Sequence, residues 1–464
     1  MWMLKNRSAG AALFLLLLLM VAGRARADEL AELKADVAAM KAAYAEKIAA
    51  LEARITQLEA QAGAAPAAAS ESPPPPPPAP AGGGGPSAFN PSMSVILAGN
   101  YANLSHDPTT YRIAGFIPGS NIGPGERSFN LGESELTFNA NVDPYFLANL
   151  TAAIAADDSI HAEEAYFKTT SLPAGLLLKG GRFFSGIGYV NEVHAHAWDF
   201  IDQPLVYRAF LGGQYATDGL QVKWLAPTDL FMEFGAETGN GRRFPGTDRN
   251  RNGINSKAFF MHAGNDIGDS ASWRAGLSWL DQRADNRSFD SNDAVGATVL
   301  DAFTGTSRLW GADFIYKWAP LGNSIERQFK FQAEYMHRIE SGALAFDTLG
   351  SNLTGAYRSS QSGWYAQAIY LFRPRWRVGL RYDSLHSGAP TIGLIANGTL
   401  NPADFPDLAA SNPNRISVMF DWSPSEFSRL RLQYAEDQAR RDARDHQLFL
   451  QYLYSIGAHG AHKF

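Results

Sequence analysis

The segment that says most about the fold is Arg375-Trp376-Arg377-Val378-Gly379-Leu380-Arg381-Tyr382. Apolar and aromatic residues alternate in it with arginine and glycine, so in an extended strand the two kinds of side chain point to opposite faces. A soluble sheet would bury its apolar face against a second layer. A transmembrane strand turns that face to lipid and its charged face to a polar interior, which is the arrangement that the arginines favour.

The same period of two recurs along the chain, for instance in Glu135 to Val142, Trp310 to Trp318 and Leu430 to Tyr434. Aromatic residues at strand ends are typical of the girdles at the two interfaces of a membrane barrel. The tryptophans near the ends of such segments are Trp224, Trp273, Trp279, Trp318, Trp364 and Trp422. This placement distinguishes a membrane barrel from a soluble sandwich.

Sixteen segments of this kind are expected to start near residues 93, 133, 146, 161, 175, 218, 229, 257, 271, 308, 328, 361, 375, 413, 428 and 446. Short turns such as Asp143-Pro144 alternate with long polar loops such as 183–217, 281–307 and 339–360. Residues 91–464 allow about 23 residues per strand, enough for roughly 9–11 spanning residues and these loops. The predicted fold class is therefore all-β, a sixteen-stranded antiparallel transmembrane β-barrel.

The composition excludes several classes of protein. The 464 residues carry a formal charge of -6 and no cysteine. A nucleic-acid partner is not expected because phosphate binding needs a basic excess, and the lack of cysteine removes disulfides, thiolate catalysis and cysteine zinc sites. The chain also lacks the Gly-x-Ser-x-Gly, His-Glu-x-x-His, phosphate-binding and dinucleotide motifs, so we predict neither an enzyme nor a bound cofactor.

Three segments precede the predicted barrel. Residues 1–27 combine Lys5 and Arg7, an apolar run and a small-residue end at Ala27, as in a secretory signal peptide. Residues 28–62 carry a heptad seam that predicts an α-helical coiled-coil stem, the alternative being a single solvated helix. Residues 63–90 form a Pro/Gly-rich linker, which cannot pack and acts as a spacer.

The last strand carries a resemblance to a known family. Leu448, Leu450, Tyr452, Tyr454 and Ile456 share one face, and the chain ends at Phe464. This resembles the C-terminal signal of Gram-negative outer-membrane barrels. Residues 91–464 as a whole resemble trimeric sixteen-stranded porins, especially the substrate-selective group that includes phosphate-selective porins, some of which carry a periplasmic coiled coil.

The resemblance implies a location and partners. We expect a homotrimer in the outer membrane, in contact with its lipid, with the stem in the periplasm and in possible contact with the cell wall. The C-terminal strand would be recognised by the barrel-assembly machinery. In such porins a long loop after strand five folds into the barrel and forms the constriction, and in this chain that loop is 183–217.

Charged residues of two regions are candidates for the pore lining. Alternation directs one group of arginines into the lumen: Arg375, Arg377, Arg381, Arg429 and Arg431. The loop 183–217 adds Glu192, Asp199 and Asp202, which would create a transverse field if they faced this basic wall. The alternative is that the arginines pair with lumen carboxylates such as Asp421 and only stabilise the wall.

His194 and His196 of the same loop are candidate metal ligands. In an extended segment both imidazoles point to one side, where a nearby carboxylate would complete a transition-metal site. The alternative is that the pair serves packing or hydrogen bonding. An association with zinc is implied by the resemblance alone.

These observations predict an outer-membrane porin for passive diffusion of small hydrophilic solutes or ions. The first alternative is a substrate-selective uptake channel for an anion, a metal ion such as zinc, or a metal chelate such as a siderophore. The second is a tether between the outer membrane and the cell wall.

Overall fold

The computed structural model describes residues 91–119, 122–157 and 159–457. The predicted signal peptide 1–27, coiled-coil stem 28–62 and linker 63–90 lie outside the described residues, as does Phe464. No helix within the described ranges is long and apolar enough to cross a membrane.

More than half of the described residues lie in β-strands, and the rest form loops, short 3-10 helices and two short α-helices. The strands are β1 (Ser92–Leu104), β2 (Ser128–Leu131), β3 (Ser134–Asn141), β4 (Phe146–Ile154), β5 (Ile160–Thr169), β6 (Leu176–Phe184), β7 (Ala216–Leu225), β8 (Phe231–Gly239), β9 (Ser256–Ile267), β10 (Ala271–Asn292), β11 (Thr298–Trp318), β12 (Gln328–Phe346), β13 (Leu353–Arg373), β14 (Trp376–His386), β15 (Thr391–Ile392), β16 (Asn414–Ser425), β17 (Ser428–Asp437) and β18 (Asp445–Gly457). The helices are α1 (Leu205–Leu211) and α2 (Gly393–Ala396).

The strands close into a barrel. β2 and β15 are short segments of four and two residues, and the other sixteen strands pair antiparallel with their neighbours. β18 pairs with β1, from Ser94 opposite Gly457 to Leu104 opposite Gln447, which leaves no free edge. The predicted sixteen-stranded antiparallel barrel is confirmed. The predicted strand starts agree with the structure to within two residues, except for β11 and β13.

The two faces of the strands differ as the alternation predicts. On β14 the outward Leu380 is 50% exposed, whereas the inward Arg381 is 1% exposed. Outward residues of β11 include Trp310 and Phe314, and the interior holds buried polar groups such as Gln433. A band of apolar side chains thus covers the outside, and many charged groups are buried inside, which is the arrangement of a membrane barrel.

Four strands continue well past the length needed to cross a membrane. β10, β11, β12 and β13 contain 22, 21, 19 and 21 residues, so the stretches 281–307 and 339–360 are extended hairpins and the prediction of loops there was wrong. The outward face of β11 changes from apolar at Trp310 to polar at Arg308, which pairs with Asp281 at 3.0 Å. Their outward side chains are polar and their other face includes buried apolar residues such as Phe303 and Leu344, so these stretches lack the apolar outward face that marks a spanning strand.

Connections of two kinds lie at opposite ends of the barrel. We call the turn end the edge that carries the connections 142–145, 170–175, 226–230, 268–270, 319–327, 374–375 and 426–427. The opposite edge, the loop end, carries the long connections, including those after β1, β8 and β14. The connection after β6 also starts there and turns into the barrel.

Candidate functional site

The segment 185–215, which joins β6 to β7, lies inside the barrel, and we call it the inserted loop. Its helix α1 is buried at all seven residues and is capped by Gly212, whose φ of 65° suits glycine. Tyr207 and Phe210 of α1 belong to one apolar cluster with Met336 and Tyr365 of the barrel wall. The long segment after the fifth spanning strand therefore narrows the interior.

Glu334 of β12 anchors the start of the inserted loop. Its carboxylate accepts hydrogen bonds from the backbone N–H groups of Tyr189 and Val190, at 3.1 and 3.2 Å. It also accepts from the hydroxyls of Tyr207 and Tyr365, at 2.7 and 2.5 Å. Gln332 Nε2 is a fifth donor, at 3.5 Å. A buried carboxylate with five donors fixes the backbone that approaches it, because each donor would otherwise lose its hydration without a partner.

Two aspartates of the inserted loop contact the arginines of the wall directly. Asp199 Oδ1 lies 3.0 Å from Arg377 Nη1, and Asp199 Oδ2 lies 2.8 Å from Lys330 Nζ. Asp202 Oδ1 lies 2.7 Å from Arg381 Nη2, and Asp202 also pairs with Arg415. These acids do not face the basic wall across an opening. They pair with it, so the loop and the wall form one ionic network.

The remaining predicted pore residues are placed as follows. Arg431 faces inward and lies 3.6 Å from Asp421, and Arg429 faces inward and donates to the backbone carbonyl of His196. Glu192 pairs with Lys223 of β7 at 3.1 Å. Arg375 is not in the lumen: it lies in the turn between β13 and β14 with φ 72°, is exposed, and donates to the carbonyl of Pro424. Arg375 fits the period of two of the residues in β14, but it lies in the turn before that strand, and the sequence pattern did not indicate this turn.

Two cavities open toward the two ends of the barrel. The one at the loop end measures about 770 Å³, and its lining includes Tyr111, Arg112 and Arg287. The one at the turn end measures about 570 Å³, and its lining includes Glu192 of the inserted loop. Both are large enough for hydrated ions and small polar solutes, since a water molecule occupies about 30 Å³ in the liquid.

The densest group of metal-ligating side chains lies near the loop end of β3 and β5. We call it the His–Glu cluster, and it consists of Glu133, Glu135, His161, Glu163, Glu164, His194 and His196. The structure thus brings both predicted histidines together with carboxylates from two strands. The sequence analysis did not identify these partners, because they lie about 30 to 60 residues from His194 along the chain.

His194 is the centre of the contacts in this cluster. Its Nδ1 lies 3.2 Å from Glu135 Oε2 and 3.3 Å from Glu163 Oε2, and its Nε2 lies 3.1 Å from Glu164 Oε2. His196 Nδ1 lies 2.8 Å from Glu135 Oε1, and the two imidazoles stack with 5.8 Å between their centroids. Both ring nitrogens of His194 are therefore engaged by carboxylates.

A β-bulge in β5 explains how two consecutive glutamates reach the same imidazole. Thr151 of β4 pairs with Glu164, whereas the next residue, Ala152, pairs with Ala162, so Glu163 is an extra residue in β5. In a regular strand neighbouring side chains point to opposite faces. Bulges re-aim side chains and are frequent beside functional sites. Here the bulge leaves Glu163 and Glu164 both in contact with His194.

The cluster extends from the surface into the interior. Glu135, Glu163 and Glu164 are 3%, 5% and 7% exposed, whereas His161 is exposed. Buried carboxylates that are gathered around the same imidazole need compensating positive charge, because each has lost its hydration and repels the others. Imidazole nitrogens with carboxylate oxygens form the ligand set of zinc and similar transition metals.

Fold and site together define a transmembrane β-barrel with an inserted loop and an ionised interior. No family model matches the chain. An uncharacterized protein of Aquifex aeolicus (strain VF5) is 32% identical to it over 359 residues, which cover 73% of this chain and 71% of that protein. The chain belongs to the same family as this Aquifex protein.

Solved outer-membrane barrels resemble the chain at low sequence identity. The loop L8 deletion mutant of OmpT from Vibrio cholerae has a TM-score of 0.49 and 10% identity, covering 80% of this chain and 100% of that one. The anion-selective porin from Comamonas acidovorans has a TM-score of 0.47 and 9% identity, covering 79% and 100%. The channel DcaP of Acinetobacter baumannii has a TM-score of 0.46 and 14% identity, covering 79% and 97%.

Proposed function

We propose that the protein is an outer-membrane channel for the passive diffusion of small hydrophilic solutes or ions. The observation that carries this proposal is the inversion of the barrel: Leu380 and its outward neighbours meet hydrocarbon, while Arg381 and its inward neighbours form a charged interior. Charged groups at a constriction select solutes by sign and size. The ion pairs of Asp199 and Asp202 provide such groups where the inserted loop meets the wall.

The ion pairing changes what the arginines do in this proposal. Arg377 and Arg381 are each matched by carboxylates on the loop and on the wall, at 2.5 to 3.0 Å. Matched pairs hold the loop in place and contribute little net positive potential. The channel would therefore show weak anion preference, in contrast to a pore with an unpaired basic wall.

The assembly of the protein is part of the same proposal. It would be a homotrimer in the outer membrane, inserted by the barrel-assembly machinery, with residues 28–62 as a periplasmic stem. Deleting 28–62 should loosen the oligomer on a non-denaturing gel while the barrel still inserts. An intact oligomer would show that the stem is dispensable for assembly, and the tether to the cell wall depends on this same segment.

The His–Glu cluster favours a second candidate, the selective uptake of a transition-metal ion such as zinc. Its carboxylates repel anions and attract cations, and His194 adds an imidazole nitrogen between Glu135 and Glu163. Among the alternatives of selective uptake, the cluster thus supports a metal cation over an anion. Nothing in the described residues singles out a metal chelate.

Planar-bilayer recording of the full chain separates the two candidates. A general pore gives an ohmic current that does not saturate with any one solute. A metal-selective channel gives a current that saturates with micromolar Zn²⁺ and loses this saturation in His194→Ala. The exposed His386→Ala variant serves as the matched control. No measurable current in any salt would contradict both.

A further inference from the structure

The His–Glu cluster contains two sets of ligand atoms that share one residue. In one set, Glu133, His161 and Glu163 each place a ligand atom within 4.8 Å of the others. In the other, Glu135, Glu163 and His194 do the same. We propose that Glu163 bridges two divalent transition-metal ions, one in each set. This inference deepens the proposed metal-ion function and rests on it.

The distances around His194 suit a metal. Its Nδ1 lies 3.2 and 3.3 Å from oxygens of Glu135 and Glu163. Ligand atoms bound at 2.0–2.1 Å to a tetrahedral zinc ion lie roughly 3.4 Å apart, so a small outward shift of these three groups places an ion among them. The same separations are those of hydrogen bonds, and the experiment below is designed to separate the two.

The other nitrogen of His194 supplies an independent observation. Its Nε2 lies 3.1 Å from Glu164 Oε2, on the side of the ring away from Glu135 and Glu163. Histidines that bind metal through one nitrogen regularly donate the other N–H to a carboxylate, which fixes the ring and its tautomer. Glu164 would therefore be a positioning residue. Because of the bulge, β5 provides both a metal ligand, Glu163, and the residue that orients His194, Glu164.

Glu133 and Glu163 provide a third observation. Each places a carboxylate oxygen within 4.8 Å of an oxygen of the other. Two ionised carboxylates at such a separation repel each other unless a proton or a cation compensates their charge. Two divalent ions carry four positive charges, which match the four carboxylates Glu133, Glu135, Glu163 and Glu164. In two-metal sites a shared carboxylate commonly joins ions about 3.5–4 Å apart.

The ligand types narrow the class of metal. Calcium and magnesium prefer sites made of oxygen alone. Each proposed set includes an imidazole, from His161 or from His194, which favours zinc, iron, nickel or copper. His161 is exposed and Glu163 is buried, so an ion entering from the loop end would meet the His161 set first and the His194 set second.

Metal counting tests this proposal. The full-length protein, folded in detergent micelles and stripped with EDTA, is dialysed against Zn²⁺ and analysed by mass spectrometry for zinc per chain. We expect two tightly held ions in the unchanged protein, one in His161→Ala, one in His194→Ala, and a loss of affinity of at least about 100-fold for both in Glu163→Gln. The control His386→Ala should retain two.

A second readout reports whether the two ions lie close together. With Mn²⁺ in place of Zn²⁺, electron paramagnetic resonance should show a spin-coupled pair in the unchanged protein and an isolated ion in His161→Ala. One ion per chain, a Glu163→Gln variant that keeps two, or equal counts in every variant, which means an adventitious ion only, would overturn the proposal. If Glu163→Gln fails the heat-modifiability test for a folded barrel, the counts of the two histidine variants decide.

The same preparation separates this inference from the proposed function. Its current across a planar bilayer reports the channel, and its zinc count reports the two-metal site. If the protein conducts but binds one zinc ion or none per chain, the two-metal site is overturned and the channel is not. A count of two without any current overturns the channel alone.

Discussion

Arg381 of β14 donates to both the carboxylate and the backbone carbonyl of Asp202 in the inserted loop, at 2.7 Å in each case. Asp202 also pairs with Arg208 at 3.0 Å and with Arg415. One loop aspartate therefore joins the loop helix to two strands of the wall. This carboxylate is therefore a candidate anchor for the inserted loop, beside the apolar contacts of α1.

Asp202→Asn should release the loop from the wall. The substitution leaves three buried guanidinium groups short of a counter-charge, and breaking a buried pair costs about 3–5 kcal/mol. We expect a fall of that order in the free energy of unfolding and a noisier single-channel current. Asp281→Asn is the control, because its pair with Arg308 lies on the exposed outer surface and contributes less than about 1 kcal/mol. Equal behaviour of the two variants would contradict the anchoring role.

Glu334→Gln tests the second anchor of the inserted loop. The amide keeps the size of the side chain but replaces one acceptor oxygen by a donor, so at least two of the five donors around it lose their partner. We expect faster cleavage within 185–215 by chymotrypsin and a loss of about 2–4 kcal/mol of stability. Glu436→Gln is the control, since Glu436 pairs with the exposed Arg444. Unchanged cleavage in Glu334→Gln would show that the apolar contacts of α1 hold the loop alone.

Leu380→Arg tests which surface meets the bilayer. Leu380 lies on the outward face in the middle of β14, where an arginine would enter hydrocarbon at a cost of about 2–4 kcal/mol. Ser360→Arg, also outward but beyond the aromatic Trp364 on β13, should cost no more than about 1 kcal/mol. Unfolding in lipid vesicles measures both. Similar values for the two positions would place the membrane boundary elsewhere.

Glu164→Gln tests the positioning of His194. The amide still accepts the hydrogen bond of the Phe184 N–H but no longer orients the imidazole with a negative charge. We expect zinc bound by the His194 set to weaken about 10–100-fold, with the count at saturating zinc unchanged. The exposed Glu126→Gln should leave the affinity unaltered. A lower count at saturation would make Glu164 a direct ligand.

The barrel was predictable because lipid and lumen impose opposite chemistry on neighbouring residues. Trp376, Val378 and Leu380 carried that signal on β14, and fourteen of the sixteen strand starts followed from such segments. The signal ended where the outer surface became polar. Beyond Trp310 the outward side chains of β11, such as Arg308 and Thr304, are polar, so the strand was taken for a loop although its hydrogen-bonded ladder continues to Thr298.

The candidate site was predictable only in part. His194 and His196 were identified because only one residue separates them in the chain, so both side chains point to one side of an extended segment. Glu135 was placed on the lumen face by alternation, but its contact with the histidines depends on how the inserted loop folds. Glu163 was hidden for another reason: alternation assigns it and Glu164 to opposite faces, and only the bulge brings both to His194. Arg415 could have been predicted from the sequence. The outward positions of Ile416 and Val418 imply, by alternation, that Arg415 faces the lumen.

The extra residue in β5 has a consequence for how the proposed metal site could arise. Removing one codon at this point would restore an uninterrupted strand, keep every neighbouring strand in place and turn one carboxylate away from the imidazole. A metal-handling barrel and a plain one would then differ by a single insertion rather than by a new scaffold.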